Sequence, residues 1–406
     1  MQKTILFIGG GIETLPAIAQ AKSIGLYTVV SDMDVNAPGS YYADDFLKCS
    51  TYDVSDTLSN VMDFTASGKK IDGVMCVGTD VPLTVASIAK ALSIPGISTA
   101  SAELAMDKVA MKKKFREDSV PIPNFKRIKC YDELVKSIVD WGYPIIIKPV
   151  DSRGARGVLK LTKDVDKAWA WEHSKKNSPT NRVMIEKYLD GPQISTESIM
   201  INRKCYTAGF SDRNYEFLEK YSPYIIENGG DLPTKYNNQI KAKINEVLER
   251  ASLSMGIENG VVKGDIVIYN GEPYVIELAA RLSGGYFCTH QIPLSTGVDL
   301  VGNAIKLCLG EDININDLKP KYEKFICQRF FFPNPGTLNY INGLEQLEKD
   351  TTIEYYKIYL KPGQKVEEPV SHPSRAGMVI ASGDSRSNAR KNAINAINAI
   401  KFEYET

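Results

Sequence analysis

The sequence predicts an α/β region followed by mixed α+β regions, and three observations predict it. Over the first hundred residues, short apolar runs alternate with helical patterns, the signature of a parallel sheet with helices on both faces. From Tyr143 to Val183 the pattern is mixed, and after Gly191 strand-like segments are grouped around one long helical pattern. From about Pro320 the chain shows short strands and a final helix. The expected division is therefore an α/β domain over 1–100, a central domain over 101–319 and a small mixed domain over 320–406.

The elements follow in order. Thr4–Gly9 reads as a strand ending in Gly9-Gly10-Gly11, with a helix to about Lys22. Tyr27–Ser31 is the next strand, closed by Asp32, and Gly73–Val77 another, closed by Gly78-Thr79-Asp80 before a helix Val81–Leu92. Pro123 and its polar neighbours break the pattern. Strands are then expected at Ile145–Lys148, Val158–Leu161, Val183–Glu186, Gln193–Ile201, Cys205–Asp212, Val261–Tyr269 and Glu272–Leu278. Helices are expected at Val109–Arg116, Asp164–Lys175, Gln239–Met255 and Ser387–Ile400.

Composition excludes several functions. The 406 residues carry 49 Lys plus Arg against 49 Asp plus Glu, without the basic surplus that nucleic acid or an anionic membrane requires. The apolar run after Met1 is too short for a leader core or a membrane span, so a cytoplasmic protein is the expectation. Seven scattered cysteines form no CxxC pair and read mostly as buried thiols. His173, His290 and His372 are far apart, which argues against histidine metal ligation or general-base work.

The N-terminal glycines imitate a dinucleotide fingerprint, with Asp32 where a ribose carboxylate would stand. Thr14 occupies the third glycine position, so the fingerprint fails. An anion site at the helix N-terminus and a purely structural turn both remain open. Asp80 reads equally as a helix N-cap.

The chemistry-bearing residues lie between Asp107 and Arg281. In order they are Asp107-Lys108 before a helix; Tyr143-Pro144-Ile145-Ile146-Ile147-Lys148-Pro149; the cationic loop Asp151-Ser152-Arg153-Gly154-Ala155-Arg156-Gly157; Glu186-Lys187-Tyr188-Leu189; Gly264-Asp265-Ile266; and Glu277 followed by Arg281. Each piece alone is weak. In this order they resemble the ATP-grasp superfamily, and the resemblance extends over essentially the whole chain. It implies a pre-ATP-grasp domain at the N-terminus, a two-lobed nucleotide domain whose small mobile lobe spans about 121–187, and a C-terminal domain like those of biotin carboxylase, purine-pathway members and dipeptide ligases.

The roles implied are physically coherent. Lys108 and Lys148 would hold the ATP phosphates as point charges. Gly154 and Gly157 would let the loop's N–H groups cover them. Arg153 and Arg156 read either as cations closing over the transferred phosphoryl group or as ordinary loop charges. Glu186 would accept the adenine amino proton, with main chain near Lys187, Tyr188 and Leu189 reading the ring edge. Gln193 stands about where relatives place an acidic ribose ligand, and Glu197 is a further ribose-side or structural candidate. Asp265 and Glu277, joined by a hairpin through Asn270-Gly271, would bind Mg²⁺ or Mn²⁺. Relatives often place an Asn two residues after the second acid, where this chain has Ala279. Arg281 would face the substrate carboxylate or its acyl phosphate, and Ser283, Gly284 and Gly285 would offer backbone donors to the same anion. Trp141, Tyr215, Tyr221 and Tyr224 read as packing or lid residues, and Lys112-Lys113-Lys114 as a solvated helix face.

Such a site, rich in cations and acids without a Ser/His or Cys/His set, suits phosphoryl transfer to a carboxylate. Within the superfamily the sequence is most similar to carboxylate–amine ligases. The stretch Gly209–Arg213, with Ile226–Pro233, resembles the "T-D-[KR] … E-x-G-H-x-x-P" pattern of amino-acid ligases, with Gly230 in place of the histidine. Asp212, Arg213 and Glu227 are the substrate-side candidates, although Glu227 can also simply pair with Arg213. The partners expected are a small-molecule carboxylate and an amine, and a homodimer through the N-terminal domain stays open. The rival readings are an ATP-dependent carboxylase, a formate- or glycine-using purine-pathway ligase, and a nucleotide-binding regulator without turnover.

Overall fold

The computed structural model describes residues 2–405. Four parallel strands form the first sheet, in the order Asp45–Lys48, Tyr27–Asp32, Thr4–Ile8 and Gly73–Met75. The central strand Thr4–Ile8 is buried throughout, which explains its unbroken apolar run. The glycine turn after it is structural at its second position: the Gly10 N–H donates to the Asp32 carboxylate at 2.8 Å. Asp32 thus holds the turn that the fingerprint would have assigned to a ribose.

A second sheet, antiparallel, has the order Phe125–Ile128, Val183–Lys187, Ile145–Pro149 and Leu159–Leu161. Helices Tyr131–Trp141 and Lys167–Lys176 share its apolar core through Leu134, Ile138, Ala170 and Trp171. All four strands and both helices fall between Phe125 and Lys187.

The third sheet is the frame of the molecule. Its eight strands run in the order Glu272–Ala279, Gly260–Tyr269, Gln193–Ile201, Lys204–Arg213, Gly230–Leu232, Phe325–Phe330, Gly377–Gly383 and Ile353–Ile358, all pairs antiparallel. The sheet therefore continues through the boundary expected near residue 320, and the last strands extend the same hydrogen-bonded surface. Helix Asn238–Ser254 packs one end of it and Arg386–Ala399 the other. A small sheet of Lys365–Val366, Gly336–Asn342 and Lys401–Tyr404 completes the C-terminal part. No helix among the described residues is long and apolar enough to cross a membrane. Five of the seven cysteines are buried, as their apolar surroundings predict; Cys130 is exposed and Cys308 half-buried.

Candidate active site

One face of the eight-stranded sheet carries the chemistry, because side chains alternate along each strand. Asp265 lies directly opposite Glu277 on one neighbour and opposite Ser195 on the other. A bulge immediately after Asp265 re-aims the hairpin at this point. The two carboxylates are thereby adjacent, as the Asn270-Gly271 hairpin predicts. Each already holds cations: Glu277 pairs with Lys108 at 3.1 Å, and Asp265 pairs with Arg213 at 3.0 Å and with Lys263. Burial alone would raise the Asp265 pKa, but Arg213 and Lys263 outweigh it and hold the carboxyl well below the usual carboxylate range.

The opposite wall belongs to the small lobe and to the helix Lys108–Glu117. Asp107 caps that helix by accepting the Ala110 N–H at 2.8 Å. Lys108 then reaches the Ser152 carbonyl at 2.8 Å, beside the cationic loop. Lys148 sits on the same sheet face as Glu186, two pairs along the ladder. It contacts one Glu186 oxygen at 2.8 Å, and Lys112 contacts the other at 2.8 Å. Lys112 is therefore no solvated helix face; its side chain is 1% exposed. The signal was present in the sequence, since Lys112 stands four residues after Lys108 and so on the same helix face. Burial pushes the Lys112 ammonium down to about 8 despite the Glu186 charge. Burial would raise Glu186, but the two lysines outweigh it and keep the carboxyl below its ordinary range.

The cleft between these walls is lined by Lys148, Gly154, Glu186, Lys187, Tyr188, Leu189 and Gln193 together with Lys108, Asp265, Glu277 and Arg281. The Lys187 ammonium is turned away to the Trp141 carbonyl at 2.7 Å, which leaves the hinge main chain facing the cleft. Gln193 accepts from the Tyr215 hydroxyl at 3.1 Å, so Tyr215 is a wall of the cleft rather than packing alone. Gly154, Ala155 and Gly157 all have positive φ, which turns the loop sharply over the cleft.

A second chamber adjoins the first, sharing Asp80, Arg153, Arg213, Lys263, Arg281 and His372 with it. Asp80 is not the cap of its helix; Val81 takes that position and no side chain caps it. Asp80 instead binds Arg281 at 3.2 Å and Arg153 at 3.6 Å. Burial would raise its pKa, but Arg281, Lys108 and Arg153 hold it down. The loop arginines separate: Arg153 is fixed by Asp80 and lies 4.3 Å from the Tyr52 ring centroid, whereas Arg156 is exposed.

Several expectations need correction. Asp212 faces away from the chamber, because its neighbour Arg213 takes the site face. It accepts from the Lys235 N–H at 2.9 Å and pairs with Arg386 of the C-terminal helix at 2.8 Å. Ser283, Gly284 and Gly285 do line the second chamber, but two of their N–H groups are already used. Ser283 donates to Glu197 at 3.0 Å, and Gly285 donates to Glu13 at 2.9 Å. Glu197, on the same sheet face as Ser195 but fully buried, supports this turn rather than meeting a ribose, and burial raises its pKa to about 7. Glu227 pairs with Arg213, accepting from Nε at 3.1 Å. His372, set aside by the sequence reading, lines both chambers, and its backbone N–H donates to the Gly154 carbonyl at 3.0 Å. Burial, with Arg375 and Arg213 nearby, keeps its imidazole neutral. Glu13 and Arg375 were not foreseen in the site at all.

Residues 105–285 match the ATP-grasp domain, so the chain carries an ATP-grasp domain. Residues 329–405 match the L-amino acid ligase C-terminal domain 2. The sequence is 24% identical to an uncharacterised protein of Sinorhizobium fredii, over 86% of this chain and 72% of that one. It is 26% identical to a formate-dependent phosphoribosylglycinamide formyltransferase of Prochlorococcus marinus, over 99% of this chain and 98% of that one. It spans 28% of the carbamoyl phosphate synthase large chains it matches. The L-amino acid ligase of Bacillus licheniformis has the same fold, with a TM-score of 0.82 and 20% identity over 100% of this chain and 99% of that one.

Proposed function

We propose that this protein is an ATP- and Mg²⁺-dependent carboxylate–amine ligase, which phosphorylates a carboxylate and passes the acyl group to an amine, releasing ADP and phosphate. The observation that carries the reading is the shared border of the two chambers, where Arg281, Arg153, Arg213 and Lys263 converge beside Asp265 and Glu277. A nucleotide in the first chamber would present its terminal phosphate there, to a carboxylate entering from the second.

The Asp265 and Glu277 carboxylates suit Mg²⁺, or Mn²⁺, because such ions take one or two carboxylates and complete their shell with phosphate and water. Bound there, the ion would neutralise charge on the transferring phosphoryl group. The chain's own residues do the rest. Lys108 and Lys148 would hold the phosphates, with Glu186 fixing Lys148 in place. Arg281, oriented by Asp80, would bind the oxygens of the carboxylate being activated. The loop Asp151–Gly157, latched by the His372 N–H, would exclude water that would hydrolyse an acyl phosphate.

The full-length similarity to a formate-dependent enzyme favours one second reading, a ligase that activates formate. The test is ADP, AMP and phosphate measured after incubation with ATP, Mg²⁺ and paired pools of acids and amines, with formate and bicarbonate as separate arms. ADP formed only when an acid and an amine are both present is the expected result. AMP as the product would overturn the acyl-phosphate route, and turnover requiring formate or bicarbonate would select a rival.

A further inference from the structure

Two charges in the second chamber stand apart from the rest. Asp80, Arg153, Arg213, Glu227, Lys263 and Arg281 are all engaged in ion pairs, and Arg156 is exposed to solvent. Glu13 and Arg375 are both half-buried and, among the described residues, neither has an oppositely charged side chain in contact. Arg375 is held by carbonyl groups, that of His372 at 2.8 Å and that of Glu227 at 3.5 Å, and its guanidinium lies 3.6 Å from the Phe330 ring centroid. These contacts orient the cation without neutralising it. Burial lowers its pKa, opposed first by the charge of Glu227, which is itself paired with Arg213, and more weakly by Tyr359 and Glu13.

Glu13 is equally built in. It comes from the N-terminal glycine turn and one oxygen accepts the Gly285 N–H. Its other oxygen lies where a side chain on Gly78 or Gly284 would collide, 2.6 Å and 2.3 Å from the Cβ each would carry. Two glycines thus leave room for this carboxylate. An acid and a base, each pre-oriented and lacking a counter-ion, line one chamber with the rings of Phe287, Phe330 and Tyr359 around them. Leaving either charge half-buried and uncompensated is costly unless a ligand supplies the opposite charge.

We propose that Glu13 and Arg375 form a zwitterion clamp: the N-terminal domain's Glu13 binds an ammonium group and the C-terminal domain's Arg375 binds a carboxylate of the same small molecule, an amino acid. The clamp selects the substrate, and its use in a reaction rests on the ligase reading above. It also assigns a role to the N-terminal glycine turn, which the nucleotide chemistry leaves unused.

The test is calorimetric binding of a panel of proteinogenic amino acids to the full chain loaded with ADP and Mg²⁺, followed by the best binder's α-amide and its des-amino acid. Each truncated ligand should bind wild type about 10- to 100-fold more weakly, the range for losing a charge-assisted contact. In Arg375→Met the amide penalty should vanish while the des-amino penalty persists, and Glu13→Gln should show the reverse. Neither residue lines the nucleotide cleft, so unchanged ADP affinity verifies that each variant is folded. Arg375→Lys should retain part of the carboxylate preference. The clamp is overturned if no amino acid of the panel binds, or if both penalties survive in the variants. ADP release is read separately: amino-acid binding with the expected pattern but no ADP release sinks the ligase reading alone, and turnover without the pattern sinks the clamp alone.

Discussion

Replacing Glu186 by glutamine should destabilise the small lobe, with a pH dependence of defined sign. The Glu186 side chain is 3% exposed, and its two ammonium partners, Lys112 and Lys148, are 1% and 5% exposed. Glutamine keeps the shape and one acceptor but leaves two buried cations beside each other. Breaking a buried pair from one side costs about 3–5 kcal/mol, mostly the penalty of the stranded charge. Lys112 sets the pH response. Its folded pKa is already lowered to about 8, and the Glu186 charge is what keeps it from falling further. Without that charge it loses its proton at lower pH, while the unfolded chain keeps it to about 10.4. The unfolded state then binds more protons, so stability rises with pH in that window. The variant's deficit should therefore be largest near pH 6 and narrow toward pH 8. Urea unfolding followed by tryptophan fluorescence measures this directly, since the three tryptophans, Trp141, Trp169 and Trp171, all lie on the two helices of this lobe. Wild-type stability at pH 6, or a deficit that widens toward pH 8, would refute the buried-triad reasoning.

Further outcomes follow from the same geometry. Glu277→Ala should abolish Mg²⁺-dependent ADP formation while circular dichroism shows a folded chain; turnover like wild type would remove Glu277 from the metal site. Lys148→Met should weaken ATP binding about 10-fold or more, measured by equilibrium titration, since one charge-assisted phosphate contact is lost. Glu197→Gln should stabilise the protein by about 2 kcal/mol at pH 8.5 and hardly at all at pH 5. Its folded pKa of about 7 lies above the unfolded value, so wild type loses stability as pH rises between the two. Denaturation midpoints at both pH values check this, and an equal effect at each would contradict it.

Much of the fold was legible because it rests on local periodicity. The strand Gln193–Ile201 has the bounds its alternation predicts, and the helices at 108–117 and 238–254 lie within a residue or so of expectation. The lining of the first chamber was legible for a related reason. Its residues cluster at strand ends, a glycine loop and one hairpin, and short-range spacing places them, down to the direct pairing of Asp265 with Glu277.

The second chamber depended on contacts between segments hundreds of residues apart. Glu13 meets Gly285, Asp80 meets Arg281, and His372 meets Gly154, none of which any local pattern encodes. The same holds for which charges are free. Spacing could nominate Asp212 and Arg213 together, but strand alternation sent one to a C-terminal arginine and the other to Asp265. The sequence by itself determined the order of strands and helices and the residues that line the first chamber, because those are properties of short segments. Only the tertiary structure decided which ionic groups neutralise one another and which remain free to meet a ligand, because pairing depends on distance and burial across the whole chain.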